Sequence, residues 1–93
     1  MTYQVIIEPN AKNDLYDIFS YIKTNGSLQS AKVFLNELRK QINNLSYMPN
    51  RCRDSLYYKD GKTKDLIYKG YTISYHIETP RVHIVAVFRQ QSY

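Results

Sequence analysis

The chain has 93 residues, 43% of them hydrophobic and 23% charged, with a formal net charge of +5. This composition is typical of a folded chain, and we expect one domain over residues 1–93. No run is apolar and long enough to cross a membrane, and we expect no signal peptide, which favours a cytoplasmic protein without a membrane partner. The single cysteine, Cys52, excludes an internal disulfide, and no CxxC or Cys/His cluster indicates a metal site.

The positive charge is concentrated in the second half of the chain. Residues 1–50 contain five Lys or Arg and four Asp or Glu, whereas residues 51–93 contain eight and four. Such an excess favours a polyanionic target or an acidic protein partner, and it is also compatible with a role in solubility alone.

The first predicted elements are a strand and a helix. Apolar residues alternate over residues 3–7, which predicts a short strand that ends at Glu8-Pro9-Asn10 and joins a later sheet. The spacing then becomes helical, and we expect a helix over residues 11–24 with Asn10 as its N-cap and Asn25-Gly26 as its stop. Three aromatic residues of this helix are expected to pack against the next one: Tyr16, Phe19 and Tyr21.

A second helix is predicted over residues 28–45, with Ser27 as its cap. Its apolar stripe is formed by Ala31, Phe34, Leu35, Leu38, Ile42 and Leu45. The two helices form a hairpin, and Pro49 marks the exit from it.

Residues 50–62 form a predicted irregular segment in which cations are interleaved with aromatic rings. Its members are Arg51, Arg53, Tyr57, Tyr58, Lys59 and Lys62. Nucleic-acid surfaces combine cations for phosphates with rings that stack on bases, and many solvated loops have the same composition, so both interpretations stay open.

The last third of the chain predicts three strands. Tyr71, Ile73, Tyr75 and Ile77 alternate with Thr72, Ser74, His76 and Glu78, as in a strand with one buried face. Short breaks at Lys69-Gly70 and Thr79-Pro80-Arg81 should let Thr63–Tyr68 and residues 82–88 pair with it as an antiparallel meander.

The predicted fold class is α+β. The order is an N-terminal strand, an α-helical hairpin and a three-stranded antiparallel meander (β-α-α-β-β-β), with the helices packed on one face of a single sheet. We expect the opposite face to be open to solvent. The side chains expected on it are those of Thr72, Ser74, His76 and Glu78.

Five segments follow one another along the chain: Ala11-x-x-Asp14-Leu15-x-x-Ile18-x-x-Tyr21-Ile22, Ala31-x-x-Phe34-x-x-x-Leu38-x-x-x-Ile42-x-x-Leu45-x-x-x-Pro49, Lys64-Asp65-Leu66, Tyr71-Thr72-Ile73-Ser74-Tyr75 and Ile84-Val85-Ala86-Val87-Phe88-Arg89. In their order and spacing, the sequence resembles the ParE/RelE superfamily of bacterial type II toxin–antitoxin systems over nearly its whole length. The long hairpin and the Leu45…Pro49 exit are more similar to the ParE-like branch. The resemblance implies a toxin that a cognate acidic antitoxin neutralises, with no cofactor.

The two branches imply different targets. ParE-like toxins inhibit DNA gyrase by binding, whereas RelE-like toxins are enzymes that cut mRNA on the ribosome. The ribonuclease pattern commonly has Arg where this chain has Thr72, so we expect gyrase inhibition first, mRNA cleavage second, and an interaction-only or degenerate member third.

Two groups of candidate residues follow from these alternatives. A ribonuclease needs an acid, a base and cations for the phosphate. The candidates for those roles are His76, Lys64, Arg89 and Tyr93. The candidates for contact with the target or the antitoxin are Arg51, Arg53, Lys64, Arg89 and Gln90.

Overall fold

The computed structural model describes residues 2–56 and 58–89. In these residues the elements are β1 (Gln4–Ile7), α1 (Pro9–Asn25), α2 (Leu28–Asn43), β2 (Arg53–Asp54), β3 (Thr63–Tyr68), β4 (Tyr71–Glu78) and β5 (Arg81–Arg89), with two short 3-10 turns at Asn44–Ser46 and Pro49–Arg51. The strands form one sheet in the order β1-β5-β4-β3-β2. The predicted α+β class is confirmed. None of the helices in the described ranges has the length and apolar character needed to cross a membrane.

The pairing of the strands follows the predicted meander. β3, β4 and β5 are antiparallel neighbours, and β1 joins the sheet as a parallel neighbour of β5. One strand was not predicted: β2, which pairs antiparallel with β3 inside the segment expected to be irregular. Two residues are too few for an apolar alternation to be read from the sequence, so β2 depends on pairing that only the folded chain shows.

The helix boundaries differ from the prediction at the start of α1 and at the end of α2, where the helix stops at Asn43 and a 3-10 turn continues to Ser46 instead of the predicted helix to residue 45. α1 begins at Pro9, so Asn10 lies inside the helix and Glu8 occupies the N-cap position without a side-chain cap bond. Proline suits the first helical position because its missing N–H would have no helical partner there. The predicted start and cap of α2 were right, since the Oγ of Ser27 accepts a hydrogen bond from the backbone N–H of Ser30 at 3.0 Å.

The core lies between the helical hairpin and the sheet. Leu38, Ile42 and Leu45 are fully buried against Ile73 and Tyr75 of β4. Tyr71 and Ile77 pack at the edge of the same cluster, which confirms that the four alternating residues of β4 face the helices. The hydroxyl of Tyr75 donates a hydrogen bond to the carbonyl of Pro49 at 2.5 Å and so joins β4 to the exit of the hairpin.

The prediction of an open opposite face was wrong for Thr72 and Ser74, which are both 0% exposed. β4 is an inner strand between β3 and β5, and the buried Asp65 of β3 lies beside Ser74 and accepts a hydrogen bond from its Oγ at 2.8 Å. The backbone N–H of Leu56 donates to the other carboxylate oxygen at 3.4 Å, so the segment after β2 reaches this part of the face. The alternation along β4 predicted that Thr72 and Ser74 lie on the face opposite the helices, but it did not show that other residues cover that face.

A hydrogen bond also joins α1 to the C-terminal part of β5. β1 pairs with β5 only as far as Ile84, so the outer side of β5 has no strand partner from β1 beyond that point. There the carboxylate of Asp14 accepts a hydrogen bond from the backbone N–H of Val87 at 2.9 Å. The helix therefore satisfies a backbone donor that the sheet leaves unpaired.

Candidate functional site

The open-face candidate His76 belongs to a pair of histidines. His76 of β4 lies opposite His83 of β5 in the strand register, and the two rings stack with their centroids 5.1 Å apart. The Nδ1 of His83 is 2.6 Å from the Oε1 of Glu8, the residue between β1 and α1. The pairing of His76 with His83 was not predicted from the sequence.

Lys64 lies on the other face of the sheet. In the register it is opposite Tyr75, whose side chain packs against the helices, whereas His76 is opposite Thr63. The Nζ of Lys64 is 3.1 Å from the Oδ1 of Asp54 and donates to the carbonyl of Cys52 at 3.4 Å, and the side chain is 21% exposed. Its charge is thus engaged with the backbone and carboxylate of the β2 segment.

Arg89 stands at the opposite end of β5 from His83. It is exposed and lies opposite Tyr71 in the register. Six residue positions separate it from His83, which corresponds to roughly 20 Å along a strand. Together with residues of α1 and β4 it lines a cavity of about 340 Å³: Asp17, Ile18, Tyr21 and Tyr71.

The other binding candidates lie near the β2 edge or outside the described residues. Arg51 ends the second 3-10 turn and Arg53 begins β2, and both side chains are exposed. Gln90 and Tyr93 fall outside the residues that the structure describes. Their predicted contacts, like those of the two arginines, stay predictions.

The described candidates for catalysis do not form one cluster. His76 and Lys64 are on opposite faces of the sheet, and Arg89 is at the far end of β5. An acid, a base and a phosphate-binding cation act together only when each is within about 3 Å of the reacting group. Within the described residues, no single site contains more than one of these three side chains.

The structure adds a groove that the sequence analysis did not find. It has a volume of about 580 Å³ and lies along the hairpin, lined by Ile7, Lys12, Leu15, Tyr16, Phe19, Leu35, Arg39 and Asn43. The prediction that Tyr16 and Tyr21 pack against the next helix was wrong, since they are 70% and 53% exposed. The lining is apolar with two cations and no carboxylate, which suits an acidic segment with apolar side chains. The signal in the sequence was the surplus of aromatic residues beyond the stripe of α1.

Hydrogen bonds shift the pKa values of two sets of ionisable groups. Glu37 of α2 accepts hydrogen bonds from the Nζ of Lys69 at 2.8 Å and from the hydroxyl of Tyr68 at 2.5 Å. These bonds, first that from Lys69, lower the pKa of Glu37, and the carboxylate raises the pKa of Tyr68 and of Lys69. In the loop before β3, the backbone N–H groups of Lys62 and Thr63 lower the pKa of Asp60 to about 2.

Comparisons with known proteins agree with this architecture. The chain matches, over residues 5–92, the family described as ParE toxin of type II toxin-antitoxin system, parDE. No curated protein sequence matches it. The solved structure of the chromosomal ParDE toxin–antitoxin system from P. aeruginosa is similar, with a TM-score of 0.84, 12% identity, and coverage of 97% of this chain and 98% of that one.

A second solved structure has the same fold. It is the toxin-antitoxin complex RelBE2 from Mycobacterium tuberculosis, with a TM-score of 0.71, 20% identity, and coverage of 99% of this chain and 95% of that chain. At these identities the two structures support the fold, and the family match supports the kind of protein. The chain belongs to the ParE toxin family and is the toxin component of a type II toxin–antitoxin system.

Proposed function

We propose that this toxin inhibits DNA gyrase by binding to it, without catalysing a reaction of its own. The observation that supports a binding activity most directly is the separation of His76, Lys64 and Arg89. A ribonuclease would have to bring such groups around one phosphate, and in the described residues they are divided between two faces and two ends of the sheet.

The charge of the chain suits a target that holds DNA. The net charge is +5, and Arg51, Arg53 and Arg89 are exposed. Exposed guanidinium groups bind phosphates and carboxylates in the same fork geometry, so they can contact either the bound DNA or an acidic surface of the enzyme. Salt should weaken these contacts because they are exposed to solvent.

We also propose that a cognate acidic antitoxin neutralises the toxin by occupying the groove along the hairpin. Two similar solved structures are toxin–antitoxin systems. Leu15, Phe19 and Leu35 offer an apolar floor, and Lys12 and Arg39 are the charged residues of the lining. An amphipathic segment with carboxylates along one side would bury its apolar side chains there and pair its charges with the two cations.

The proposed target is tested with purified components. The toxin should block supercoiling by gyrase or trap cleaved DNA in an ATP-dependent manner, while a translated mRNA probed by primer extension stays intact. Arg53→Glu and Arg89→Glu should each weaken inhibition at least about 10-fold, since each removes and reverses an exposed contact charge. Lys32→Glu, an equal charge change at an exposed position of α2, is the matched control.

Other results would contradict the proposal. Cuts positioned within translated codons, with supercoiling unaffected, would identify an mRNA endonuclease. Intact mRNA together with unaffected gyrase, from a chain that still binds its antitoxin, would identify an interaction-only member.

A further inference from the structure

The histidine pair has a carboxylate beside it on the same face of the sheet. His76 and Glu78 are two positions apart on β4, so their side chains share a face, and His83 lies directly opposite His76 on β5. One ligand atom from each of these three residues lies within 4.8 Å of the other two. These three residues include no cysteine, so the cysteine spacing of the sequence gave no sign of the group.

One of the two rings is held in the form that can bind a metal. The Nδ1 of His83 is 2.6 Å from a carboxylate oxygen of Glu8, so the neutral ring carries its proton on Nδ1 and its lone pair on Nε2. That Nε2 is buried and has no hydrogen-bond partner among the described residues. A buried ring nitrogen without a partner is unfavourable, and a metal ion would satisfy it. A carboxylate behind a histidine is the usual support of a metal-binding imidazole.

We propose that His76, His83 and Glu78 bind a divalent transition-metal ion of the Zn²⁺ class and that Glu8 positions the ring of His83. Two imidazoles and one carboxylate form a known set of three zinc ligands, with a fourth position for water. Imidazole nitrogen favours Zn²⁺, Ni²⁺ and Cu²⁺ over Mg²⁺ and Ca²⁺, which take oxygen ligands.

The distances require only side-chain movement. Metal–ligand bonds of about 2.0–2.2 Å place tetrahedral ligand atoms about 3.4 Å apart, less than the 4.8 Å within which these atoms now lie. Glu78 is exposed and His76 is half-buried, so both can turn toward His83, while the bond to Glu8 holds His83 in place.

The carboxylates around the three residues favour the binding of a cation, whereas a nearby arginine weakens it. Glu78 and Glu8 together carry the charge that balances a divalent ion. Arg81 lies opposite Glu78 in the register and is repelled by the ion. The site is near the turn between β4 and β5, on the face away from the helices. Because its ligands all belong to this chain, metal binding does not depend on the identity of the toxin's target.

Metal binding is measured on the full chain without an affinity tag. Isothermal titration with Zn²⁺ should give one ion per chain, and Co²⁺ should give the intense visible absorption of a tetrahedral complex. Glu78→Gln and His76→Gln should each weaken Zn²⁺ binding at least about 10-fold by loss of a ligand, and Glu8→Gln about 10-fold to 100-fold. Arg81→Gln should tighten it, because a like charge is removed.

Two controls separate the site from other donors. Cys52→Ser removes the thiol, and Asp17→Asn removes an exposed carboxylate of α1; both variants should bind Zn²⁺ as the natural chain does. NMR of the natural chain should show the ring signals of both histidines shifting in step with added Zn²⁺, which does not depend on the folding of any variant. Absence of saturable binding, or binding that Glu78→Gln and His76→Gln leave unchanged, would overturn the assignment.

Discussion

Replacement of Tyr75 by Phe tests how the sheet is joined to the exit of the hairpin. The ring is fully buried and its hydroxyl donates to the carbonyl of Pro49, a residue that is also buried. Phe keeps the ring and its packing, so the change removes one hydrogen bond and leaves a buried carbonyl oxygen without that donor. We expect a loss of unfolding free energy.

The size of the loss follows from the burial of both partners. A hydrogen bond contributes about 0.5–1.5 kcal/mol net, and an acceptor left buried without a partner costs about 1–3 kcal/mol. No cavity term is added, because the ring stays in place. We therefore expect a loss of about 1–3 kcal/mol, with Tm falling by roughly 4–8 °C for each kcal/mol in a domain of this size.

Urea unfolding followed by circular dichroism measures the change, with an unchanged slope required for the comparison. Tyr16→Phe is the matched control, since that side chain is 70% exposed and its loss should change stability by less than about 0.5 kcal/mol. A Tyr75→Phe variant as stable as the natural chain would show that the Pro49 carbonyl finds another donor and that the bond does not hold the exit segment.

Three further outcomes are expected. Asp14→Ala should lower the unfolding free energy by about 1–3 kcal/mol because the N–H of Val87 loses its acceptor, and Asp14→Asn, which keeps an oxygen, should recover part of it in the same urea experiment. Burial raises the pKa of Tyr75, so its contribution to stability is complete below about pH 10 and is lost as the pH rises further; in alkaline titrations Tyr75→Phe should flatten that loss. Arg39→Glu should weaken antitoxin capture at least about 10-fold, whereas Lys32→Glu should not, and equal weakening by both would refute docking in the groove.

The strand register could have been predicted further than it was. Two-residue turns at Lys69-Gly70 and Thr79-Pro80 determine which residues lie opposite each other once the strands are accepted. Counting back from the second turn places His76 opposite His83 when the turn is two residues long rather than the three-residue break predicted, and counting back from the first places Lys64 opposite Tyr75, as observed. The pair of histidines and the face of Lys64 were therefore within reach of the sequence.

Other parts of the site were not within reach of the sequence. Glu8 meets His83 only because β1 lies parallel to β5, a pairing between residues far apart in the chain that no local pattern specifies. The shift in register between Ser74 and Tyr75 likewise changes which residues of β5 face the helices. The cover over Ser74 depends on the segment after β2, whose sequence has no periodicity to read.

The parallel pairing of β1 with β5 also constrains how the chain is made. The paired residues, from Gln4 with Arg81 to Ile7 with Ile84, are 77 positions apart. At about 5–20 residues per second, a growing chain needs roughly 4–15 seconds to make the partner of its first strand. During that time the apolar stripes of α1 and α2 have no complete sheet to cover them, and contacts so distant in sequence close slowly. The hairpin of a newly made chain is therefore complete several seconds before the sheet that covers its apolar side can close.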